Sequence, residues 1–116
     1  MGGDWGGTWL WEGNRWRKLD LAVQPPVRDD SVLVYDSLQD RSILFGGTKD
    51  HILFDDTWAF DGETWARVDT PRAPSQRSRA AAFYDPVRRS IILYGGEFNS
   101  VYGDMWELIL PEGDQR

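Results

Sequence analysis

An internal repeat constrains this chain more than any other feature of its sequence. Displaced along itself by 49 positions, so that Trp9 lies on Trp58, residues 9–47 overlie residues 58–96 without a gap. Gly13 then meets Gly62, Trp16 meets Trp65, Asp20 meets Asp69, Pro25 meets Pro74 and Arg28 meets Arg77. Tyr35-Asp36 falls on Tyr84-Asp85, and Ile43-Leu44-Phe45-Gly46-Gly47 falls on Ile92-Leu93-Tyr94-Gly95-Gly96. One residue drops out in the loop that follows, after which Asp56-Thr57-Trp58 finds Asp104-Met105-Trp106. Identities concentrated in Trp, Gly, Pro and Asp mark copies of one supersecondary unit. Such a unit cannot bury its apolar faces alone and must stack on its neighbours.

Each unit reads as four short strands, a to d in chain order. Strand a is expected at 31–35 and 80–84, and strand b at 42–45 and 91–94, each b ending in a Gly-Gly pair. Both are apolar on both faces, as strands sandwiched between layers are. Strand c, at 57–60, alternates: Trp58 and Phe60 point one way, Thr57 and Ala59 the other. Its counterparts are 8–11 and 105–110. Strand d is expected at 64–68, echoed at 15–19. The c–d turn is Asp61-Gly62 in one copy and Glu12-Gly13 in the other, and Asp-Gly between two strands is a strong hairpin signal. The a–b connections, 36–41 and 85–89, are polar and short enough for hairpins. With no capped helical periodicity anywhere, the expected class is all-β.

A period near 50 residues with four strands per unit matches the blade of a β-propeller. The apolar run into Gly46-Gly47, the Asp56-Thr57-Trp58 strand and the following Trp65 resemble the kelch signature, repeated in Gly95-Gly96 and Trp106. The resemblance covers nearly the whole chain. It implies four-stranded antiparallel blades around a central axis, similar to the central domain of galactose oxidase. The expected division is a half blade (strands c and d) in 1–20, a complete blade in 21–69, and a blade lacking its last strand in 70–116, where nothing beyond Trp106 matches Trp65. Such an open stack leaves strand edges and apolar faces in water. It is expected to be completed, either by further blades of a larger propeller or by copies joined head to tail. In the second case three copies would give six blades and four copies eight, with one c strand redundant at each junction.

The net charge of −6 and pI near 4.6 argue against nucleic acid as a partner, because phosphate binding needs a concentrated basic surface. The absence of cysteine excludes disulfides, thiolate nucleophiles and cysteine-ligated zinc. No stretch approaches the roughly 20 apolar residues of a spanning helix. The opening Met1-Gly2-Gly3-Asp4-Trp5-Gly6 resembles neither a signal peptide nor a myristoylation site. A soluble chain with no membrane partner is expected, its compartment left open.

Candidate chemistry is sparse. His51 is the single histidine, in the b–c loop 48–55, without companions for metal ligation; no cofactor is expected. Asp56 and Asp104 precede the strand-c tryptophans in the same slot of both copies, which points to a structural carboxylate and not to an acid–base pair. Arg28 and Arg77 also share a slot, three residues after a proline. At a propeller axis they could bind anions or carboxylates, or pair with an aspartate of a neighbouring blade. Trp9, Trp16, Trp58, Trp65 and Trp106 recur at blade spacing and are expected in the core, whereas Trp5 and Trp11 fall outside the repeat and are expected at an exposed edge. The longest loops are 48–55, 97–103 and 69–76, and loops on a rigid sheet carry binding. Lys49, His51, Phe54, Phe98, Asn99 and Tyr102, read as non-repeated loop residues, are the candidates for a face that binds a protein or a glycan.

The functional expectation is a non-catalytic interaction or scaffold module. A rival is a fragment of a propeller enzyme whose catalytic residues lie elsewhere. Copper oxidases resembling galactose oxidase need His, Tyr and Cys ligands, and Asp61-Gly62-Glu63-Thr64-Trp65 is one residue short of the sialidase Asp box. A third possibility is a two-blade unit that assembles into a ring.

Overall fold

The computed structural model describes residues 7–109. Among these residues there are eleven strands and no helix. They are β1 (Thr8–Trp11), β2 (Trp16–Leu19), β3 (Val32–Asp36), β4 (Arg41–Phe45), β5 (Thr48–Lys49), β6 (Ile52–Leu53), β7 (Thr57–Phe60), β8 (Trp65–Val68), β9 (Ala81–Asp85), β10 (Ser90–Tyr94) and β11 (Met105–Leu108). The chain is all-β. Strands β1 and β2 form an N-terminal hairpin. A central four-stranded sheet has the order β3-β4-β7-β8, and a C-terminal three-stranded sheet the order β9-β10-β11. Every pairing is antiparallel, and no sheet closes on itself.

Local chemistry explains the strand limits. Strands a extend one residue further than expected, to Asp36 and Asp85, because each aspartate caps the turn that follows. Asp36 Oδ1 accepts the amides of Leu38 (3.0 Å) and Gln39 (3.2 Å), and Asp85 Oδ1 those of Val87 (3.0 Å) and Arg88 (3.2 Å). Strand d begins at Trp65, not at residue 64, because Asp61 Oδ1 holds the amides of Glu63 and Thr64, both at 2.8 Å, in the turn. The segment 48–55, expected as a plain loop, contains the β5–β6 hairpin. Its central residues Asp50 and His51 both have positive φ (52° and 70°), as a type I′ turn requires. Strand β11 ends at Leu108, short of the expected 105–110: Ile109 is exposed and past the strand end, and residue 110, like Trp5, lies outside the described residues.

The central and C-terminal sheets stack face to face. Val34, Ile43 and Ile91 form the buried cluster, with Val32, Ala59, Val68, Ala82, Tyr84 and Leu108 packed against it. These side chains alternate along their strands, so the odd-numbered neighbours Leu33 and Tyr35 point away from the junction. Leu33 is 63% exposed, and on the outer side of the C-terminal sheet Phe83 is 57% exposed. Apolar composition on both faces is therefore real, and the outer faces carry exposed side chains at their margins, although Phe60 and Ile92 on those same faces are buried.

Polar groups cross the junction too. The Gly47 amide donates to the Arg77 carbonyl (2.9 Å) and the Arg79 amide to the Asp30 carbonyl (3.0 Å). Tyr84 reaches Asp36 with its phenol, whose pKa is raised by burial and by that carboxylate. The glycine pair makes this approach possible: a Cβ on Gly46 would lie 2.7 Å from the Arg77 carbonyl oxygen, and Gly46 has a φ of +72°.

Two expectations about tryptophan fail. Trp9 and Trp16 are exposed, not core, because the hairpin that carries them has no inner strands beside it. Trp11 does belong to the repeat: it occupies the slot of Phe60. Trp11 packs on Trp16 (ring centroids 5.4 Å apart) as Phe60 packs on Trp65 (5.0 Å).

Candidate functional site

The repeated arginines build the same clip twice. Arg28 grips Asp56 with both terminal nitrogens, Nη1 to Oδ1 at 2.5 Å and Nη2 to Oδ2 at 2.9 Å. Its Nη1 also donates to the Gly46 carbonyl and its Nε to the Pro26 carbonyl, each at 3.1 Å. Asp56 Oδ2 accepts the Trp58 indole N–H at 2.8 Å. In the second unit Arg77 grips Asp104 at 2.7 and 3.0 Å and donates to the Gly95 carbonyl at 3.0 Å, while Asp104 accepts from Trp106 at 2.8 Å. Each clip thus ties strand b's glycine end, strand c's start and the segment before strand a into one knot. Bidentate charge-assisted bonds of this kind are the strong ones.

An aromatic ring covers each guanidinium. Arg28 lies over the Phe54 ring at 3.9 Å, and Arg77 over the Tyr102 ring at 4.3 Å. Phe54 and Tyr102, read above as non-repeated, are therefore equivalent. A shift of 48, already implied by Asp56 falling on Asp104, would have aligned them.

The clip leaves no role in anion capture for Arg77. It is 2% exposed, and its five N–H groups go to Ser75, Gly95 and Asp104. Arg28 spends four of its N–H groups on Pro26, Gly46 and Asp56. Both arginines pair with an aspartate of their own unit, not of the neighbouring one as sequence reasoning allowed. Burial pushes the Asp56 carboxyl up, but the Arg28 and Trp58 hydrogen bonds outweigh it and hold the pKa below the usual value. Arg77, with help from Trp106, holds Asp104 down at about 2. Both carboxylates stay ionised wherever the protein is folded at ordinary pH, which suits a permanent strut and not a proton shuttle.

The remaining candidates divide. His51, Phe98 and Asn99 come together where the two b–c loops lie side by side, in an open cleft that Leu53, Ser78 and Val101 also line. The loop 97–103 is pinned there by paired backbone bonds between Ser78 and Glu97 (3.1 and 2.9 Å). Lys49 lies elsewhere, in a groove with Arg28 and Leu33. Sequence reasoning missed the apolar tips of these loops: Ile52 is exposed and Val101 is 82% exposed. Alternation in the short β5–β6 hairpin could have pointed to Ile52; nothing in the sequence marks Val101. Among the described residues no three His, Asp or Glu side chains gather as metal ligands would. The chain matches no protein-family model, and no curated protein matches it.

Proposed function

We propose that the repeat units are kelch-type propeller blades and that the chain is a non-catalytic interaction module. On this reading it binds a protein segment in the cleft between loops 48–55 and 97–103. One observation carries it: residues that repeat are spent on structure, whereas three loop residues that differ between the copies, His51, Phe98 and Asn99, gather at the cleft and only Lys49 of that set lies elsewhere. Arg28, Arg77, Asp56, Asp104, Phe54, Tyr102 and the glycine pairs are all consumed inside the units or between them. His51, Phe98 and Asn99 serve no such clip and line a shared opening flanked by apolar tips. A rigid repeated frame that carries divergent loops is the usual arrangement of a binding scaffold. An apolar tip beside an imidazole and a carboxamide suits a peptide, offering burial for side chains and both a donor and an acceptor for its backbone.

Selection from a displayed peptide library, with a glycan array run in parallel, tests the proposal. Peptides selected on the wild-type chain should weaken about tenfold or more with Phe98→Ala or His51→Ala, as loss of a central contact does. They should be unaffected by Glu63→Ala in the c–d turn at the opposite end of the strands. Binders insensitive to the cleft changes would refute the site, and glycans that take the cleft where peptides do not would refute the ligand class.

A further inference from the structure

The junction between the central and C-terminal sheets joins two equivalent units, so the repeat states what each uncovered outer face is shaped to meet. At that junction the central sheet presents Val34, Ile43 and Phe45, and the C-terminal sheet presents Ala82, Tyr84 and Leu93. Advanced by one repeat, the first set becomes Phe83, Ile92 and Tyr94, on the outer side of the C-terminal sheet. Moved back by one repeat, the second set becomes Leu33, Tyr35 and Leu44, on the outer side of the central sheet. Phe83, Tyr94, Leu33 and Tyr35 are all exposed, whereas Ile92 and Leu44 lie deeper, Ile92 buried among its own sheet neighbours. We infer that a second copy of this chain docks head to tail, with the Phe83, Ile92 and Tyr94 face of one copy against the Leu33, Tyr35 and Leu44 face of the next.

The polar links of the internal junction have equivalents at this outer one. Tyr84 reaches Asp36 internally; Tyr35 and Asp85 hold the same places between copies, where Tyr35 would exchange its present bond to Asp40 Oδ1 (2.5 Å) for Asp85. The Gly47 amide meets the Arg77 carbonyl internally; Gly96 and Arg28 are their counterparts. Asp30 and Arg79 share a slot and the same left-handed backbone, with φ of 58° and 62°. Internally their side chains face each other at 3.4 Å, Arg79 Nε to Asp30 Oδ2. Because this slot holds an acid in one unit and a base in the next, its sign alternates around any head-to-tail assembly. Opposite charges then meet at the junction between copies as they do within one.

A groove marks the place of the docking copy and must widen to admit two whole strands. This groove of about 460 Å³, lined by Trp9, Gln24, Leu33 and Leu44, separates the β1–β2 hairpin from the inner strands of the central sheet. Since β1 and β2 hold the c and d places of a unit, the groove lies at its a and b places, which β9 and β10 of the next copy would take as the hairpin moves outward. Strands β1 and β11 then claim one position. β11 carries the clip aspartate Asp104 and β1 has Gly7 in that slot, so β1 is the strand that yields. This association is heterologous, and it ends in a ring where the rotation closes.

The test is the molar mass of the chain by light scattering after size exclusion, with variants that block one face each. Wild type should give a discrete assembly of three or four copies, matching rings of six or eight blades. Leu33→Arg and Phe83→Arg change exposed side chains, and their unfolding midpoints should stay near wild type. Each alone should be monomeric, yet an equimolar mixture should give a dimer, because each keeps one intact face and the two faces differ. As a second measure, Arg79→Asp should weaken assembly and Asp30→Arg added to it should restore the mass. A wild-type monomer at high concentration, its faces left for further units of a longer chain, overturns the inference. So does a mixture that stays monomeric while wild type associates. The loop cleft plays no part, so Phe98→Ala should leave the mass unchanged.

Discussion

Gly46 and Gly62 both have positive φ, +72° and +103°, but for different reasons. A Cβ on Gly62 would meet nothing within 4 Å, whereas one on Gly46 would strike the Arg77 carbonyl of the next sheet. Alanine at either site incurs the left-handed backbone penalty of about 1–2 kcal/mol. Only Gly46→Ala must also push the sheets apart, so urea unfolding should find it the more destabilised of the two by at least a further ~1 kcal/mol. The clip carboxylates give a pH signature. Asp104 is held at about 2 when folded, below the roughly 3.9 of an unfolded aspartate. Its contribution is therefore complete above about pH 4 and lost as pH falls toward 2. Asp104→Asn should lower stability at neutral pH and flatten the loss between pH 4 and 2, read from urea midpoints across that range. An unchanged acid slope would mean that the strut is idle. The Arg and Asp slots of the clip were legible as repeated positions. Their pairing was not, because a shared slot does not say which aspartate the arginine can reach. The stacking rings were hidden by the single-residue deletion in the loop.

The strands themselves were the most legible elements, since turn residues fall at fixed offsets in both copies. The β5–β6 hairpin is not legible in the sequence because its turn is Asp50-His51, without the glycine that usually announces positive φ. The repeat marks the exposed β1–β2 hairpin as half a unit, but it equally places Trp9 and Trp16 in a core that only inner strands would provide. A cross-contact anchors it: the Trp65 indole N–H donates to Thr8 Oγ1 at 2.8 Å. Trp65→Phe keeps the ring contact with Phe60 and removes this bond, worth about 1 kcal/mol. Amide exchange in β1 and β2 should then quicken severalfold while β3, β4 and β7 keep their protection. Equal loss across all strands would show the hairpin to be integral to the central sheet.

At the scale of the molecule, the stacking of one repeat unit on the next matters more than any single sheet. A strand that is apolar on both faces reads the same whether its second face is covered or bare, so the sequence could not say which side of each sheet meets the other. The crossing contacts decide it: Gly47 to Arg77, Arg79 to Asp30, and Tyr84 to Asp36. Both the cleft between the loops and the complementarity of the outer faces depend on that register. Native-state hydrogen exchange by NMR, resolved at the Gly47 and Arg79 amides, tests it most directly, because those two amides have no partner within their own sheet's ladder. Protection at both sites close to that of the β4 and β10 amides would confirm that the sheets stack as described. Exchange there at unprotected rates, with the strands still protected, would leave two independent sheets and contradict the account.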